Sequence, residues 1–174
     1  MNLYYTITGG INVDTAHQLI IWMNSQIYSG STPSKLTLFI SSTGGDIDSA
    51  IRIYTYLKGL PIEVETIGFS QIDSAANIIF LAGKNRKVLD GCRFFLHEGT
   101  FTIGHQTAIL RHLEESLRVL KELLDRSVKI VAAETKKTRE EIADVFLEGK
   151  IYSSSEALDF GIVTEIIDKL PTAI

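Results

Sequence analysis

The sequence is poor in the residues that mark disulfide-bonded, fibrous or disordered chains. Its 174 residues include one cysteine, three prolines and one tryptophan, and only 22% are charged. The single cysteine, Cys92, excludes an internal disulfide framework, and we expect it to be a small buried apolar residue. No apolar run approaches the roughly 20 residues that span a bilayer, and the first residues lack a signal-peptide pattern. We therefore expect one soluble, cytoplasmic domain.

The charge balance excludes two classes of partner. The formal net charge is −4, so neither nucleic acid nor an anionic membrane is an expected partner. The mean hydropathy of +0.15 is high for a soluble monomer of this size. We expect part of the apolar surface to be buried between subunits of a homo-oligomer.

Strands and helices alternate along the first half of the chain. Short runs of β-forming residues predict strands, and stretches with apolar residues three or four apart predict helices. The predicted strands cover residues 3–8, 36–40 and 64–69. The first predicted helix starts at Asn12 or Asp14 and ends near residue 28. Two further helices are predicted over 46–58 and 74–81. This order predicts an α/β fold with parallel strands.

The second half is dominated by one long helical pattern. Two short strands, 86–89 and 93–97, flank an Asp90-Gly91 turn, and a glycine-bearing loop over 98–106 follows. The next amphipathic helix is about 28 residues long, with an apolar stripe that a small domain cannot cover. The stripe includes Leu113, Leu117, Leu120 and Leu124. Helices over 139–147 and 153–160 and a strand over 162–167 complete the prediction, in which the long helix projects and packs against a partner subunit.

Three places at strand ends could carry chemistry, because open α/β sheets bind ligands there. The first is Ser-Ser-Thr-Gly-Gly-Asp at 41–46, where two glycines bring backbone N–H groups close to a ligand or simply form a turn capped by Asp46. The second is Ser74, a nucleophile or a helix cap. The third is His97, a general base or a structural histidine.

These three places together fit nucleophilic acyl transfer. A histidine removes the serine proton and later protonates the leaving amine, while backbone N–H groups hold the oxyanion. No lysine follows the glycine turn at the spacing of a phosphate loop, and no histidine has a second metal ligand three or four residues away. We expect neither a metal nor a cofactor.

The residues resemble the proteolytic subunit of the Clp protease, the ClpP family within the ClpP/crotonase fold. The resemblance rests on five segments in the family's order and extends from about residue 4 to 167. The segments are Ser-Ser-Thr-Gly-Gly at 41–45, Ile53-Tyr54, Ser-Gln-Ile-Asp-Ser at 70–74, Phe-Leu-His-Glu at 95–98, and Ser153-Ser-Ser-Glu-Ala with Phe160-Gly-Ile. The implied architecture is a repeated ββα superhelix with a projecting handle helix. It forms a single domain over 1–174, with a head at about 1–97 and 150–174 and a handle at about 98–149.

The resemblance also implies roles for individual residues. Ser74 is the expected nucleophile and His97 the general base of a serine-type endopeptidase. The N–H groups of Gly45 and Ala75 are the expected oxyanion hole. The implied assembly is a pair of stacked rings joined through handle helices, and the implied substrates are peptides or unfolded proteins.

The sequence departs from the family pattern at the third member of the triad. The position expected to hold the acid is Gly149, so Glu148 is the tentative substitute and Asp144 the alternative. Asp73, beside the nucleophile, is a further carboxylate that could support a nearby imidazolium. Loss of the orienting acid lowers the rate by about 10⁴ where the acid fixes the histidine tautomer.

Three alternatives remain open at this point. Gly149 favours a catalytically weak or inactive structural subunit. A crotonase-like acyl-CoA enzyme shares the fold, although neither its catalytic glutamate nor a basic phosphate site is evident. A Ser–Lys pair would have to use Lys84. Because the chain starts almost at its first strand, we expect a Clp-type ATPase to be dispensable for hydrolysis of peptides.

Overall fold

A parallel sheet forms the centre of the protein. The computed structural model describes residues 1–30, 32–100 and 110–171. The main path of the sheet has the order β1-β2-β3-β4-β7, and all four of its neighbouring pairs are parallel. Its strands are β1 Asn2–Ile11, β2 Lys35–Gly45, β3 Glu63–Asp73, β4 Asn85–Leu89 and β7 Glu165–Ile167. The α/β class with parallel strands that the alternation predicted is therefore present.

Three helices connect the parallel strands. They are α1 Val13–Tyr28, α2 Ile47–Lys58 and α3 Ala76–Phe80. The cap of α1 is Asn12, whose Oδ1 accepts from the Thr15 N–H at 2.9 Å, and α2 is capped in the same way by Asp46. The fully buried Leu36, Leu38 and Ile40 belong to the same core as apolar residues of these helices.

Beyond its pairing with β4, the end of β3 takes a further partner strand in the same sheet. Three β3 residues, including Ser70 with a positive φ, face one residue of β2 between the Ile40 and Ser42 pairings. Beyond this irregularity β3 pairs in parallel with β5 Arg93–Leu96, which pairs antiparallel with β6 Lys150–Tyr152. The two strands that flank the Asp90-Gly91 turn, β4 and β5, thus both pair with β3. The sequence did not predict β6.

The long helix α4, Leu110–Thr135, has 26 residues, close to the predicted 28. Its second half packs on the head through Val128 and Val131, whereas Leu110, Leu113 and Leu117 near its start are 39–71% exposed. Helices α5 Arg139–Glu148 and α6 Ser154–Phe160 follow. Residues 101–106 of the predicted loop lie outside the described residues. In the described part of the chain, no helix is long and apolar enough to cross a bilayer.

Candidate active site

Ser74 lies in a sharp turn between β3 and α3. Its φ is +54°, a value that is uncommon for a residue with a side chain. The Ser74 N–H donates to the carbonyl oxygen of Phe95 at 2.7 Å, and the Ser74 carbonyl accepts from the Asn77 N–H at 3.1 Å. A strained strand-to-helix turn of this kind presents a serine hydroxyl at the top of a sheet. The turn is thus fixed at its backbone.

Asn77, which the sequence analysis missed, strengthens the same turn. Its Nδ2 lies within 3.0 Å of three carbonyl oxygens, those of Ile72, Ser74 and Phe95, and the residue is buried. The side chain therefore ties the serine turn to β5. The available signal was a single amide in the otherwise apolar stretch over 75–82.

The glycine turn at the end of β2 packs directly on Ser74. Gly44 has φ +87°, and a Cβ there would lie 2.6 Å from the Asp73 carbonyl oxygen and 2.7 Å from Ser74 Cβ. Ser42 stabilises the turn, because its hydroxyl accepts from the Gly44 N–H at 3.1 Å and donates to the Gly9 carbonyl. Only glycine fits this close approach.

Two N–H groups beside Ser74 are candidates for the oxyanion hole. Among the described residues, none accepts a hydrogen bond from the Ala75 N–H. The Asp46 N–H, in contrast, donates to the Ile11 carbonyl oxygen of β1 at 2.8 Å. Gly45 lines the same cavity as Ser74, and Ala75 follows Ser74 directly, so the predicted pair stays a candidate for the oxyanion hole.

His97 follows β5 and faces the same cavity as Ser74. This cavity has a volume of about 320 Å³, and its lining includes Gly45, Ile47 and Leu120 as well as Ser74 and His97. Within the described chain, no hydrogen bond within 3.5 Å joins the Ser74 hydroxyl to the imidazole. Such bonds are often long in free enzymes and tighten with substrate. The imidazole stacks on the Phe95 ring, with a centroid distance of 4.5 Å and an interplanar angle of 21°.

The structure does not bring the predicted third member to His97. The Glu148 side chain is 64% exposed and lies 3.6 Å from Lys150 Nζ, and Asp144 is exposed. No carboxylate oxygen of the described residues lies within 4.0 Å of a His97 ring nitrogen. Asp73 does not reach the ring either, because its Oδ2 binds Arg93 Nη2 at 2.7 Å.

Position 149 itself faces the histidine. Gly149 ends α5 in the left-handed conformation, with φ +66°. A Cβ at this position would lie 3.9 Å from His97 Cβ and 3.8 Å from Phe95 Cε2, which is ordinary van der Waals contact. A residue with a side chain at 149 would thus place its Cβ beside Phe95 and His97, and glycine provides no such group.

The structure also bears on Lys84 and Cys92. The Lys84 N–H donates to Val64, near the start of β3, whereas Ser74 follows the end of that strand. Lys84 and Ser74 are therefore at opposite ends of β3, which does not support a Ser–Lys pair.

Burial, with a smaller effect of the Asp73 charge, raises the pKa of the Cys92 thiol to about 12, as expected for a structural cysteine. Within residues 1–30, 32–100 and 110–171, no group of three or more His, Cys, Asp or Glu could hold a metal ion.

Comparisons with known proteins give the family and the fold of this chain. The family model described as Clp protease matches residues 5–170. The ATP-dependent Clp protease proteolytic subunit 2 of Thermobifida fusca is 25% identical over 138 residues, which are 78% of this chain and 66% of that protein. Subunit 1 of Corynebacterium glutamicum is 28% identical over 163 residues, 91% of this chain and 77% of that protein.

A solved structure supports the fold independently. A ClpP1 mutant from Listeria monocytogenes matches with a TM-score of 0.82 and 25% identity, over 95% of this chain and 91% of that one. The predicted ClpP/crotonase-like fold is thereby confirmed. With the family model matched over nearly the whole length, the chain belongs to the Clp protease family.

Proposed function

We propose that this protein is a serine peptidase of the ClpP type, with Ser74 as nucleophile and His97 as general base. The observation that carries the proposal is the cavity of about 320 Å³ that Ser74, His97 and Gly45 line together. Membership in a family whose relatives are named proteolytic subunits supports hydrolysis of peptide bonds.

The reaction proceeds in two halves. The His97 imidazole accepts the Ser74 hydroxyl proton while the hydroxyl oxygen attacks the carbonyl carbon of the peptide bond. The N–H groups of Gly45 and Ala75 donate to the oxyanion that forms. His97 then protonates the leaving amine, and a water molecule, deprotonated by His97, hydrolyses the acyl ester on Ser74. No cofactor takes part in these steps.

The substrates we propose are peptides and unfolded chains, cleaved inside a homo-oligomeric chamber. The exposed leucines in the first half of α4 support contacts between copies, because an apolar stripe of this kind is stabilised by burial. In the implied assembly these residues join two stacked rings. The independence from a Clp-type ATPase and the cytoplasmic location stay predictions.

A fluorophosphonate probe tests the function directly, because it reacts with an activated serine. In the assembled protein we expect one adduct, located on Ser74 by tandem mass spectrometry, together with hydrolysis of a short fluorogenic peptide. Ser74→Ala is the matched control and should lose both signals. Assembled wild-type protein that takes up no probe and cleaves no peptide would refute the proposal.

One observation favours a second candidate, a structural subunit without activity. The imidazole has no carboxylate neighbour among the described residues, and a Cβ at Gly149 would lie 3.9 Å from His97 Cβ without a carboxylate to follow it. With glycine at the position expected to hold the acid, this candidate predicts normal assembly without probe uptake on Ser74. The same labelling experiment therefore separates the two functions.

A further inference from the structure

Phe95 contacts both halves of the proposed catalytic pair. Its carbonyl oxygen accepts from the Ser74 N–H at 2.7 Å and from Asn77 Nδ2 at 2.9 Å. Its ring stacks on the His97 imidazole at 4.5 Å. A single residue thus fixes the backbone of the serine and the ring plane of the histidine.

The Phe95 backbone is held on both sides. It pairs with Asp73 of β3 and with Ile151 of β6, so β5 lies between two hydrogen-bonded neighbours at this point. The side chains of Phe95 and His97 project from the same side of the chain, two residues apart, as expected for an extended segment. The ring is therefore a fixed platform for the imidazole.

Among the described residues, no hydrogen bond or ion pair holds the His97 ring. No carboxylate of the described chain lies within 4.0 Å of its nitrogens, and position 149, which faces it, has no side chain. The orienting function of a triad acid has two parts: it holds the ring plane and it selects the tautomer. A stacked aromatic ring performs the first part, because offset stacking restricts rotation of the imidazole and accommodates its cationic form.

We propose that Phe95 is a positioning residue that replaces the absent carboxylate in holding His97 toward Ser74. This role rests on the proposed peptidase function. It adds that an aromatic ring orients the histidine of the Ser74–His97 pair. Phe95 is not among the residues that line the cavity shared by Ser74 and His97. Its effect should therefore appear in kcat and not in KM.

The first experiment compares Phe95→Leu with Phe95→Tyr in the assembled protein. Leucine keeps the apolar bulk and the backbone carbonyl but removes the stacking face. We expect kcat for a fluorogenic peptide to fall by about three- to tenfold, the range that corresponds to one aromatic pair, with KM unchanged. Phe95→Tyr keeps the face and should retain wild-type kcat.

A double-mutant cycle tests whether Phe95 and a carboxylate perform the same function. Gly149→Asp adds a carboxylate side chain, and the Cβ of that aspartate would lie 3.9 Å from His97 Cβ. In that background the loss caused by Phe95→Leu should shrink to less than about twofold, because the acid then orients the ring. Equal losses in both backgrounds would refute the positioning role.

An observation independent of hydrolysis completes the test. In protein labelled at the histidine ring carbons, the Phe95 ring current should shift the His97 resonance, assigned through a His97→Gln variant. Phe95→Leu should remove this shift, and Phe95→Tyr should keep it. A shift that survives Phe95→Leu, or wild-type kcat in that variant, overturns the role of Phe95. Wild-type protein that shows the shift but no Ser74-dependent hydrolysis instead overturns the proposed function and, with it, this role.

Discussion

Two glycines with positive φ lie on opposite sides of the proposed site, and their surroundings differ. Gly44, at φ +87°, lies so close to the serine turn that a Cβ would come within 2.6 Å of a backbone oxygen. Gly149, at φ +66°, has its nearest neighbours at 3.8 and 3.9 Å from such a Cβ, both of them side-chain atoms. Glycine is required by packing at Gly44 and only by backbone conformation at Gly149.

The two halves of the site are therefore held by different kinds of contact. Around Ser74 the geometry is fixed by backbone contacts of the glycine turn, the serine turn and β5. Around His97 it depends on side chains: a phenylalanine is present and, among the described residues, no carboxylate contacts the imidazole. The nucleophile side should therefore be sensitive to the smallest added group, and the histidine side should accept new groups.

The largest effect is expected at the nucleophile side. Gly44→Ala forces the turn away from Ser74 and displaces the neighbouring Gly45 N–H, so peptide hydrolysis should fall by about 10²- to 10³-fold, the usual loss for one oxyanion donor. The strain should also lower the free energy of unfolding by about 1–3 kcal/mol. Steady-state kinetics and thermal unfolding measure both quantities.

Gly91→Ala is the matched control for Gly44→Ala. Gly91 has φ +81°, but no atom lies within 4 Å of a Cβ built there. The variant carries the backbone strain alone, so its stability should fall while its kcat stays at the wild-type value. If kcat fell equally in Gly44→Ala and Gly91→Ala, backbone strain alone would explain the loss. The claim that close packing at Gly44 requires glycine would then be wrong.

A smaller effect of opposite sign is expected at the histidine side. Gly149→Asp places a carboxyl group against the imidazole, and aspartate tolerates the left-handed conformation better than most residues. The kcat should rise about tenfold or more, because a carboxylate both orients the ring and selects its tautomer. Gly149→Asn, which has the same shape without the charge, should give no such gain. A fall in kcat with aspartate, or an equal gain with asparagine, would contradict the assignment of position 149.

The smallest effect concerns Cys92, the single cysteine of the chain. Because burial raises its thiol pKa to about 12, the thiolate is absent at pH 8 and iodoacetamide should leave both Cys92 and peptidase activity unchanged. The raised pKa also means that the neutral thiol stabilises the fold below pH 9, and this contribution is lost as the pH rises toward 12. Rapid alkylation of the native protein with loss of activity would show that a thiol takes part.

The sequence predicted the parts of the molecule that local rules determine. The alternating strands and helices, the Asn12 and Asp46 caps, and the placement of Ser74 and His97 at strand ends all follow from residue types and spacing. The family resemblance added Gly45 and Ala75 as candidates for the oxyanion hole, and Gly45 lines the cavity that Ser74 and His97 share.

The remaining features depend on long-range contacts that spacing does not encode. Strand β6 has three residues and forms only because β5 offers a partner, so no periodicity reveals it. The Asn77 side chain donates to the Phe95 carbonyl oxygen of β5, and the same carbonyl accepts from the Ser74 N–H. Both contacts join segments that are far apart in the sequence. Glu148 was a reasonable substitute in sequence, but its carboxylate lies 3.6 Å from Lys150 Nζ and forms no ion pair with His97.

The most direct test is a crystal structure of the assembled protein with a peptide boronate bound to Ser74. The account predicts a covalent bond to the Ser74 hydroxyl oxygen and a boronate oxygen about 3 Å from the N–H groups of Gly45 and Ala75. It also predicts an imidazole stacked on Phe95 with no carboxylate in contact. A boronate oxygen directed away from both N–H groups, or a carboxylate from Glu148, Asp144 or a neighbouring subunit bound to His97, would contradict it.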